Sequence, residues 1–160
     1  MVEKNVDVRT LDEYTLEAGR PDTITEGKMR VAKQRGVSRI SVNPQTLNDD
    51  VLKIIGRSHT ADDFLRAYDI ARNSEISAIN TDVIAGLPGD KFASFAASYD
   101  KIVSLKPENI TVHTFSVKKA SDFLKNSSHI YSIRGGDVGK CVDYSQIGRA
   151  SCRERVCLSV

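Results

Sequence analysis

Four polar side chains, widely separated along the chain, are of types that together could bind a small zwitterion that also carries hydroxyl groups. They are Glu17, Gln45, Arg57 and Asp82. A carboxylate can pair with an ammonium group or accept hydrogen bonds from hydroxyls, and a guanidinium can bind a carboxylate through two parallel hydrogen bonds. Each residue taken alone is more often a helix cap or a solvated surface residue. The surrounding elements decide whether the four can converge.

The environment of Asp82 is the most informative of the four. Apolar and polar residues alternate from Ile79 to Ala85, and Gly-Leu-Pro-Gly then interrupts the pattern. Such alternation is typical of a strand, and the Gly and Pro residues indicate a tight exit loop. We predict that Asp90 caps the helix that follows. Carboxylates are rarely buried without a partner, so Asp82 faces either solvent on an edge strand or a polar site.

The rest of the chain repeats this order of strand and helix. The predicted helices follow a capping box at Thr23–Glu26, an Asn48 cap and a second capping box at Thr60. Helical crossovers are far longer than hairpin turns, so they favour parallel strands and an α/β fold. The strands are predicted near Tyr14–Ala18, Ser38–Val42, Ala78–Ile84 and Ile110–Phe115.

Every predicted strand has one polar face, whereas a parallel sheet covered on both faces reads as continuous apolar runs. The polar positions are Thr15 and Glu17; Arg39, Ser41 and Asn43; Asn80 and Asp82; Thr111 and His113. We therefore predict a partial (β/α) barrel with parallel strands and a polar interior, whose site lies at the C-terminal ends of the strands. The alternative, an antiparallel sheet half exposed to water, explains the intervening helices poorly.

Composition excludes several classes of function. The chain has 160 residues, enough for one domain with a real core, and a net charge of only +2. No basic stripe alternates with aromatic residues, so nucleic acid is not an expected partner. No apolar run is long enough to span a membrane and the first residues are charged, so we expect a cytoplasmic protein without a membrane partner.

Other common chemistries leave no trace in the sequence. It contains no P-loop, no Gly-rich dinucleotide motif, no serine nucleophile elbow and no metalloprotease pair. Neither the histidines nor the cysteines have the spacing of a metal site or a disulfide framework, so we assign no metal ligand and no catalytic residue. These residues are His59, His113 and His129, and Cys141, Cys152 and Cys157.

A series of four motifs resembles a known family. The motifs are Glu-Ala-Gly-Arg-Pro-Asp from Glu17, Ser-Val-Asn-Pro-Gln-Thr from Ser41, Ile-Gly-Arg from Ile55, and Asn-Thr-Asp-Val-Ile-Ala-Gly-Leu-Pro-Gly from Asn80. In this order they resemble the radical S-adenosylmethionine enzymes of the oxygen-independent coproporphyrinogen III oxidase group. The resemblance covers about two thirds of the chain.

The resemblance implies a half-barrel that binds S-adenosylmethionine and a [4Fe–4S] cluster. The contacts to S-adenosylmethionine would fall on Glu17, Gln45, Arg57 and Asp82, with backbone contacts from Ser116 beside the adenine. The expected reaction is oxidative decarboxylation of porphyrinogen propionates by a 5′-deoxyadenosyl radical in porphyrin and haem biosynthesis. The expected partners are the porphyrinogen substrate and an electron donor. The cofactor supplies the difficult chemistry, and the protein positions it.

The chain also departs from this family. The Cys-x3-Cys-x2-Cys motif that holds the cluster in the family does not occur before Glu17. We therefore expect residues 1–125 to be a partial core domain without the cluster segment, and the fragment to be inactive by itself. A haem-binding chaperone of the same superfamily and a non-catalytic binding module are the alternatives.

Two further segments complete the predicted organisation. Residues 126–146 are rich in turn-forming residues and are expected to be the irregular start of a truncated C-terminal region. Residues 147–160 begin with Ile-Gly-Arg-Ala-Ser-Cys-Arg-Glu-Arg-Val, which is the translation of a common sequencing-adapter string. We interpret this last segment as non-biological read-through, outside the fold.

Overall fold

The computed structural model describes residues 10–115 and the backbone of residues 155–159. Strands and helices alternate along the chain, as the sequence predicts for an α/β fold. In chain order the elements are β1 (Thr15–Glu17), a 3-10 turn (Pro21–Thr23), α1 (Glu26–Gln34), β2 (Arg39–Ser41), α2 (Asp49–Ile54), α3 (Ala61–Asn73), β3 (Ala78–Ala85), α4 (Phe92–Ser104), β4 (Asn109–Thr114) and β5 (Arg155–Ser159).

The strands form one sheet in the order β1-β2-β3-β4-β5, and all neighbours are parallel. The prediction of four parallel strands joined by helices is therefore confirmed for β1 to β4. The register places Glu17 beside Ser41 and Ser41 beside Asn80. These three positions share one face of the sheet, because residues that pair across parallel strands point to the same side.

The fifth strand is a difference from the prediction, which placed no strand in residues 147–160. Arg155–Ser159 lies parallel to β4, with Val156 beside Ile110. The edge of a sheet presents unpaired N–H and C=O groups, and a short extended segment can satisfy them. The interpretation of residues 147–160 as read-through stays a prediction, and residues 126–146 lie outside the described residues.

Helices α1, α3 and α4 pack against one face of the sheet. Ile40, Ile79 and Ile110 occupy successive strands on that face and are at most 1% exposed. The buried faces of the helices come from residues at helical spacing, as in the series Phe64, Ala67, Tyr68 and Ala71 of α3. Other buried helical residues in this core are Met29 and Ala32 of α1 and Phe95, Tyr99 and Ile102 of α4.

Two of the predicted helix caps are wrong, and two are confirmed. Asn48 accepts hydrogen bonds from the first turn of α2, and Thr60 forms a capping box with Asp63. The N-cap of α1, however, is Thr25 rather than Thr23, because Pro21 begins a 3-10 turn that includes Thr23.

No membrane-spanning helix, judged by length and apolar character, occurs in the described part of the chain.

The second wrong cap is Asp90. Helix α4 begins one residue later, with Lys91 at the N-cap and no side-chain hydrogen bond to the first turn. Both carboxylate oxygens of Asp90 are inaccessible to solvent. Burial raises the pKa of Asp90, and neither carboxylate oxygen has a hydrogen-bond partner among the described residues.

An ion pair fixes the N-terminal ends of β3 and β4 to helix α3. Arg72 donates to Glu108 Oε1 at 2.7 Å and to the Lys106 carbonyl at 2.7 Å. The other oxygen of Glu108 accepts from the N–H of Ile79, the second residue of β3. Burial alone would raise the pKa of Glu108, but the hydrogen bonds from Arg72 and Ile79 lower it below its usual value. This network holds together the starts of β3 and β4, and β3 also carries Asp82.

Candidate functional site

A shallow cavity of about 440 Å³, wide open to solvent, lies at the C-terminal ends of β1 and β2. Its size is within the range of small-molecule sites. Three of the predicted residues, Glu17, Gln45 and Arg57, line it together. The complete lining is Glu17, Ala18, Gly19, Arg20, Thr23, Asn43, Gln45 and Arg57. One carboxylate and two guanidinium groups thus face the same space, which suits a ligand carrying both signs of charge.

Gln45 reaches the cavity through an unusual backbone conformation. Its φ is 68°, in the left-handed region that residues other than Gly seldom adopt. Gln45 pairs with Val83 of β3. The pairing of Ser41 with Asn80 would place Gln45 beside Ile84, so the register shifts by one residue between these two points. The Gln45 N–H and C=O bond to Asp82 and Ile84 of β3, at 3.2 Å and 2.8 Å. Strained conformations held by surrounding contacts are enriched at functional sites.

The buried ring of His59 contacts the residue that precedes Gln45 in this turn. His59 is 4% exposed, and its Nε2 lies 3.2 Å from the carbonyl oxygen of Pro44. The contact explains His59 as a structural residue of the core. Within residues 10–115, no group of three potential metal-ligating side chains is close enough to hold an ion.

Arg57 is positioned by the end of helix α2. Gly56 has a φ of 72° and donates to the Lys53 carbonyl, while Arg57 N–H donates to the Leu52 carbonyl. This pair of bonds is the Schellman motif, which turns the chain sharply at a helix C-terminus. The Ile-Gly-Arg sequence therefore acts as a unit, in which the glycine permits the turn and the arginine follows it into the cavity.

Asp82 does not line this cavity, which differs from the prediction that all four residues point into one space. Asn43 connects it to the cavity instead. The Asn43 Nδ2 donates to Glu17 Oε1 at 3.1 Å, and its Oδ1 accepts from the N–H of Asp82 at 3.1 Å. Asp82 follows Asn80 by two residues, so it lies on the same polar face as Glu17 and Ser41.

The carboxylate of Asp82 is oriented by its neighbours on this face. Asn80 Nδ2 donates to Oδ1 at 2.8 Å, and His113 Nε2 lies 3.7 Å from Oδ2. The His113 separation is too long for a good hydrogen bond. The Asp82 side chain is 22% exposed, so its carboxylate remains accessible at the surface of the polar face.

Gly19 keeps the space beside Glu17 open. A Cβ atom added at Gly19 would lie 3.2 Å from Glu17 Oε1 and 3.8 Å from Asn43 Nδ2. Most side chains would therefore crowd the carboxylate that the cavity presents. The glycine in Glu-Ala-Gly-Arg is therefore explained by the space it leaves, and its backbone conformation does not require glycine.

Sequence reasoning missed several residues at this site. Asn43, Asn80 and His113 were recognised as polar strand residues but were not assigned to the site. The signal available was their shared face in the alternating pattern, which does not reveal their partners. Ser116 lies outside the described residues, so its predicted backbone contact stays a prediction.

The sequence profile of the Radical SAM superfamily matches residues 10–102 of this chain. The chain is 43% identical over 135 residues to the oxygen-independent coproporphyrinogen-III oxidase-like protein HemZ of Bacillus subtilis, covering 84% of this chain and 27% of that protein. It is 33% identical over 113 residues to the heme chaperone HemW of the same organism, covering 71% of this chain and 30% of HemW. The chain thus spans less than a third of the length of these curated relatives.

Solved structures show the same fold. Coproporphyrinogen III oxidase (HemN) from Escherichia coli, a radical SAM enzyme, aligns with a TM-score of 0.71 at 21% identity, covering 87% of this chain and 31% of that one. An Elp3 protein of Methanocaldococcus infernus aligns with a TM-score of 0.74 at 15% identity, covering 92% of this chain and 34% of that one. At these identities the alignments establish the fold, a partial barrel of parallel strands, and the profile match establishes the family. The chain belongs to the radical SAM superfamily.

Proposed function

We propose that the cavity beside Glu17 and the adjoining carboxylate of Asp82 bind S-adenosylmethionine. The observation that carries this proposal is the convergence of Glu17, Gln45 and Arg57 on one space, with Asp82 linked to it by Asn43. Superfamily membership supplies the identity of the ligand, because radical SAM proteins use S-adenosylmethionine with a [4Fe–4S] cluster.

The charges of the site match those of the ligand. The methionyl part carries an ammonium and a carboxylate, for which Glu17 and Arg57 are complementary partners. The ribose presents two hydroxyls, which a carboxylate such as Asp82 can accept. Gln45 offers an amide with both donor and acceptor atoms, and the volume beside Gly19 leaves room for the ligand. The described residues therefore fit S-adenosylmethionine.

The described residues do not fit the cluster. Residues 10–115 contain no cysteine, and Cys-x3-Cys-x2-Cys occurs nowhere in the 160 residues. Thiolates are the usual ligands of a [4Fe–4S] cluster. We therefore propose that this chain binds S-adenosylmethionine but is inactive by itself.

For a longer protein containing this chain, we propose oxidative decarboxylation of porphyrinogen propionates in the cytoplasm, with an electron donor as partner. The similarity to a coproporphyrinogen-III oxidase-like protein supports this assignment.

Haem binding is the second candidate. The 33% identity to a heme chaperone favours it. Conversion of coproporphyrinogen III by the longer protein would favour the oxidase. Haem binding without conversion of coproporphyrinogen III would favour the chaperone. If the longer protein showed neither activity, a non-catalytic binding module would be the remaining interpretation.

Calorimetric titration of the 160-residue chain with S-adenosylmethionine tests the binding proposal. We expect saturable binding with one ligand per chain. Arg57→Lys should weaken it because an ammonium lacks the planar fork of a guanidinium. Asp82→Ala should weaken it by about one to two orders of magnitude, because contacts to charged groups contribute about 1.5–3 kcal/mol each. Absence of binding by the unmodified chain would contradict the proposal.

A further inference from the structure

The side chain of Asn80 uses its full hydrogen-bonding capacity beneath the candidate site. It is 9% exposed, and its Nδ2 donates to Asp82 Oδ1 at 2.8 Å and to Ser41 Oγ at 3.2 Å. Its Oδ1 accepts from Asn109 Nδ2 at 2.5 Å and from Thr111 Oγ1 at 3.3 Å. An amide has two N–H donors and two acceptor lone pairs, so all four positions are occupied. Three strands therefore fix the orientation of this one amide.

That fixed amide determines which oxygen of Asp82 can meet a ligand. Oδ1 is engaged by Asn80, while the contact of Oδ2 among the described side chains is His113 at 3.7 Å. The backbone of Asp82 is also held, by Asn43 on its N–H and by Gln45 on its carbonyl. A carboxylate held at one oxygen and at its backbone cannot rotate freely, so its second oxygen has a defined direction.

We propose that Asn80 is a positioning residue that holds the Asp82 carboxylate so that Oδ2 accepts a hydrogen bond from a ribose hydroxyl of the ligand. The inference rests on the proposed function, because it assigns Asn80 a role toward the same ligand. Pre-organisation of this kind increases affinity by removing the cost of ordering the side chain on binding. Asn80 would thus act on the ligand only through Asp82.

A double-mutant cycle tests this dependence. S-Adenosylmethionine is titrated into the 160-residue chain and into the Asn80→Ala, Asp82→Ala and doubly substituted variants. We expect Asn80→Ala to weaken binding by roughly tenfold in the unmodified chain. We expect it to have no further effect when Asp82 is already alanine, because the residue it positions is gone. Arg57→Ala is the matched background, in which the effect of Asn80→Ala should persist in full.

Ligand discrimination provides a readout that general loss of stability would not change. By NMR titration, the unmodified chain should bind adenosine more tightly than 2′,3′-dideoxyadenosine, which lacks both ribose hydroxyls. Asn80→Ala should reduce this preference to the value of Asp82→Ala. If Asn80→Ala does not fold, Asn109→Ala is the alternative variant. It keeps Asn80 but removes one hydrogen bond to its Oδ1, so the preference for adenosine should fall by a smaller factor.

The possible results separate the two claims. An effect of Asn80→Ala that is the same with and without Asp82, or an unchanged preference for adenosine, would overturn the positioning role while leaving the binding site intact. Failure of the unmodified chain to bind S-adenosylmethionine would overturn the proposed function and this inference with it.

Discussion

Asn43 donates a 3.1 Å hydrogen bond from its side-chain amide to Oε1 of Glu17. The bond joins the C-terminal ends of two neighbouring strands, and Asn43 is itself 5% exposed. Because the same side chain accepts from the N–H of Asp82, the positions of both carboxylates depend on it. The site is therefore a connected set of side chains on the polar face, and substitutions within it should change ligand affinity more than stability.

Asn43→Ala is the first test of this connection. It removes the amide that orients Glu17, so S-adenosylmethionine should bind about tenfold more weakly. Asn43→Asp should be worse, because it places a second carboxylate beside Glu17. Calorimetry measures both effects, with Asn73→Ala on the exposed surface of α3 as the control. Equal affinity of the Asn43→Ala and unmodified chains would show that Glu17 needs no support from Asn43.

Gly19→Ala should weaken the binding of S-adenosylmethionine while leaving the chain folded. The added Cβ would approach Glu17 Oε1 to 3.2 Å, so the carboxylate must shift and the affinity for S-adenosylmethionine should fall several-fold. Gly27→Ala is the control, since a Cβ there meets nothing within 4 Å. Gly27 lies in the first turn of α1, so its replacement should leave the fold intact, at a stability equal to or slightly above that of the unmodified chain, without changing affinity. The idea fails if Gly19→Ala binds as well as Gly27→Ala.

Arg72→Met should destabilise the fold. Arg72 and Glu108 are each more than one third exposed, so solvent screening limits their pairing, and we expect a loss of about 1–2 kcal/mol at pH 7 from urea unfolding. Arg66→Met removes an exposed helical pair with Asp63 and should lower the free energy of unfolding by less than Arg72→Met does. A loss for Arg72→Met no larger than for Arg66→Met would show that the Arg72 network does not stabilise the strand ends.

The Arg72 effect should also depend on pH. The pKa of Glu108 is lower in the folded state than its usual value of 4.5. Its contribution to stability is therefore present above pH 4.5 and is lost as the pH falls through the lower folded pKa. Unfolding curves at pH 7 and in strong acid should show a smaller difference between the unmodified chain and Arg72→Met in acid. If the difference in stability between the two proteins were larger in acid, ionised Glu108 would not be the form that Arg72 stabilises.

Asp90→Asn should have the opposite pH dependence. Burial raises the pKa of Asp90, so ionisation of this carboxylate costs stability once the pH rises above its unfolded value. The amide has no charge to bury, so the variant should be more stable at pH 7, by roughly 0.5–1 kcal/mol. The gain should vanish in strong acid, where the carboxyl is protonated in both states. Thermal unfolding across this pH range measures it, and a loss of stability at pH 7 would contradict it.

The fold could be read from the sequence because its signals are local. Alternation located β1 to β4 within about two residues, and helical spacing located the buried face of α3. Cap positions were less certain, since whether Thr23 or Thr25 begins α1 depends on the 3-10 turn at Pro21. Local patterns do not encode such competition between neighbouring turns.

The site was only partly predictable. Motif resemblance selected Glu17, Gln45, Arg57 and Asp82, but the left-handed conformation of Gln45 and its shift in register arise from pairing with β3. The links through Asn43 and Asn80 join strands that are 26 to 39 residues apart along the chain. Alternation shows which face a side chain occupies, but not which partner it meets there.

A crystal structure of the 160-residue chain with S-adenosylmethionine would show whether the ligand binds at Glu17, Arg57 and Asp82. We expect the ligand to lie between Glu17 and Arg57 in the cavity, with its carboxylate against Arg57 and a ribose hydroxyl within hydrogen-bonding distance of Asp82 Oδ2. A ligand bound elsewhere, or bound in the cavity with its ribose away from Asp82, would contradict the assignment even though the fold is that of the superfamily.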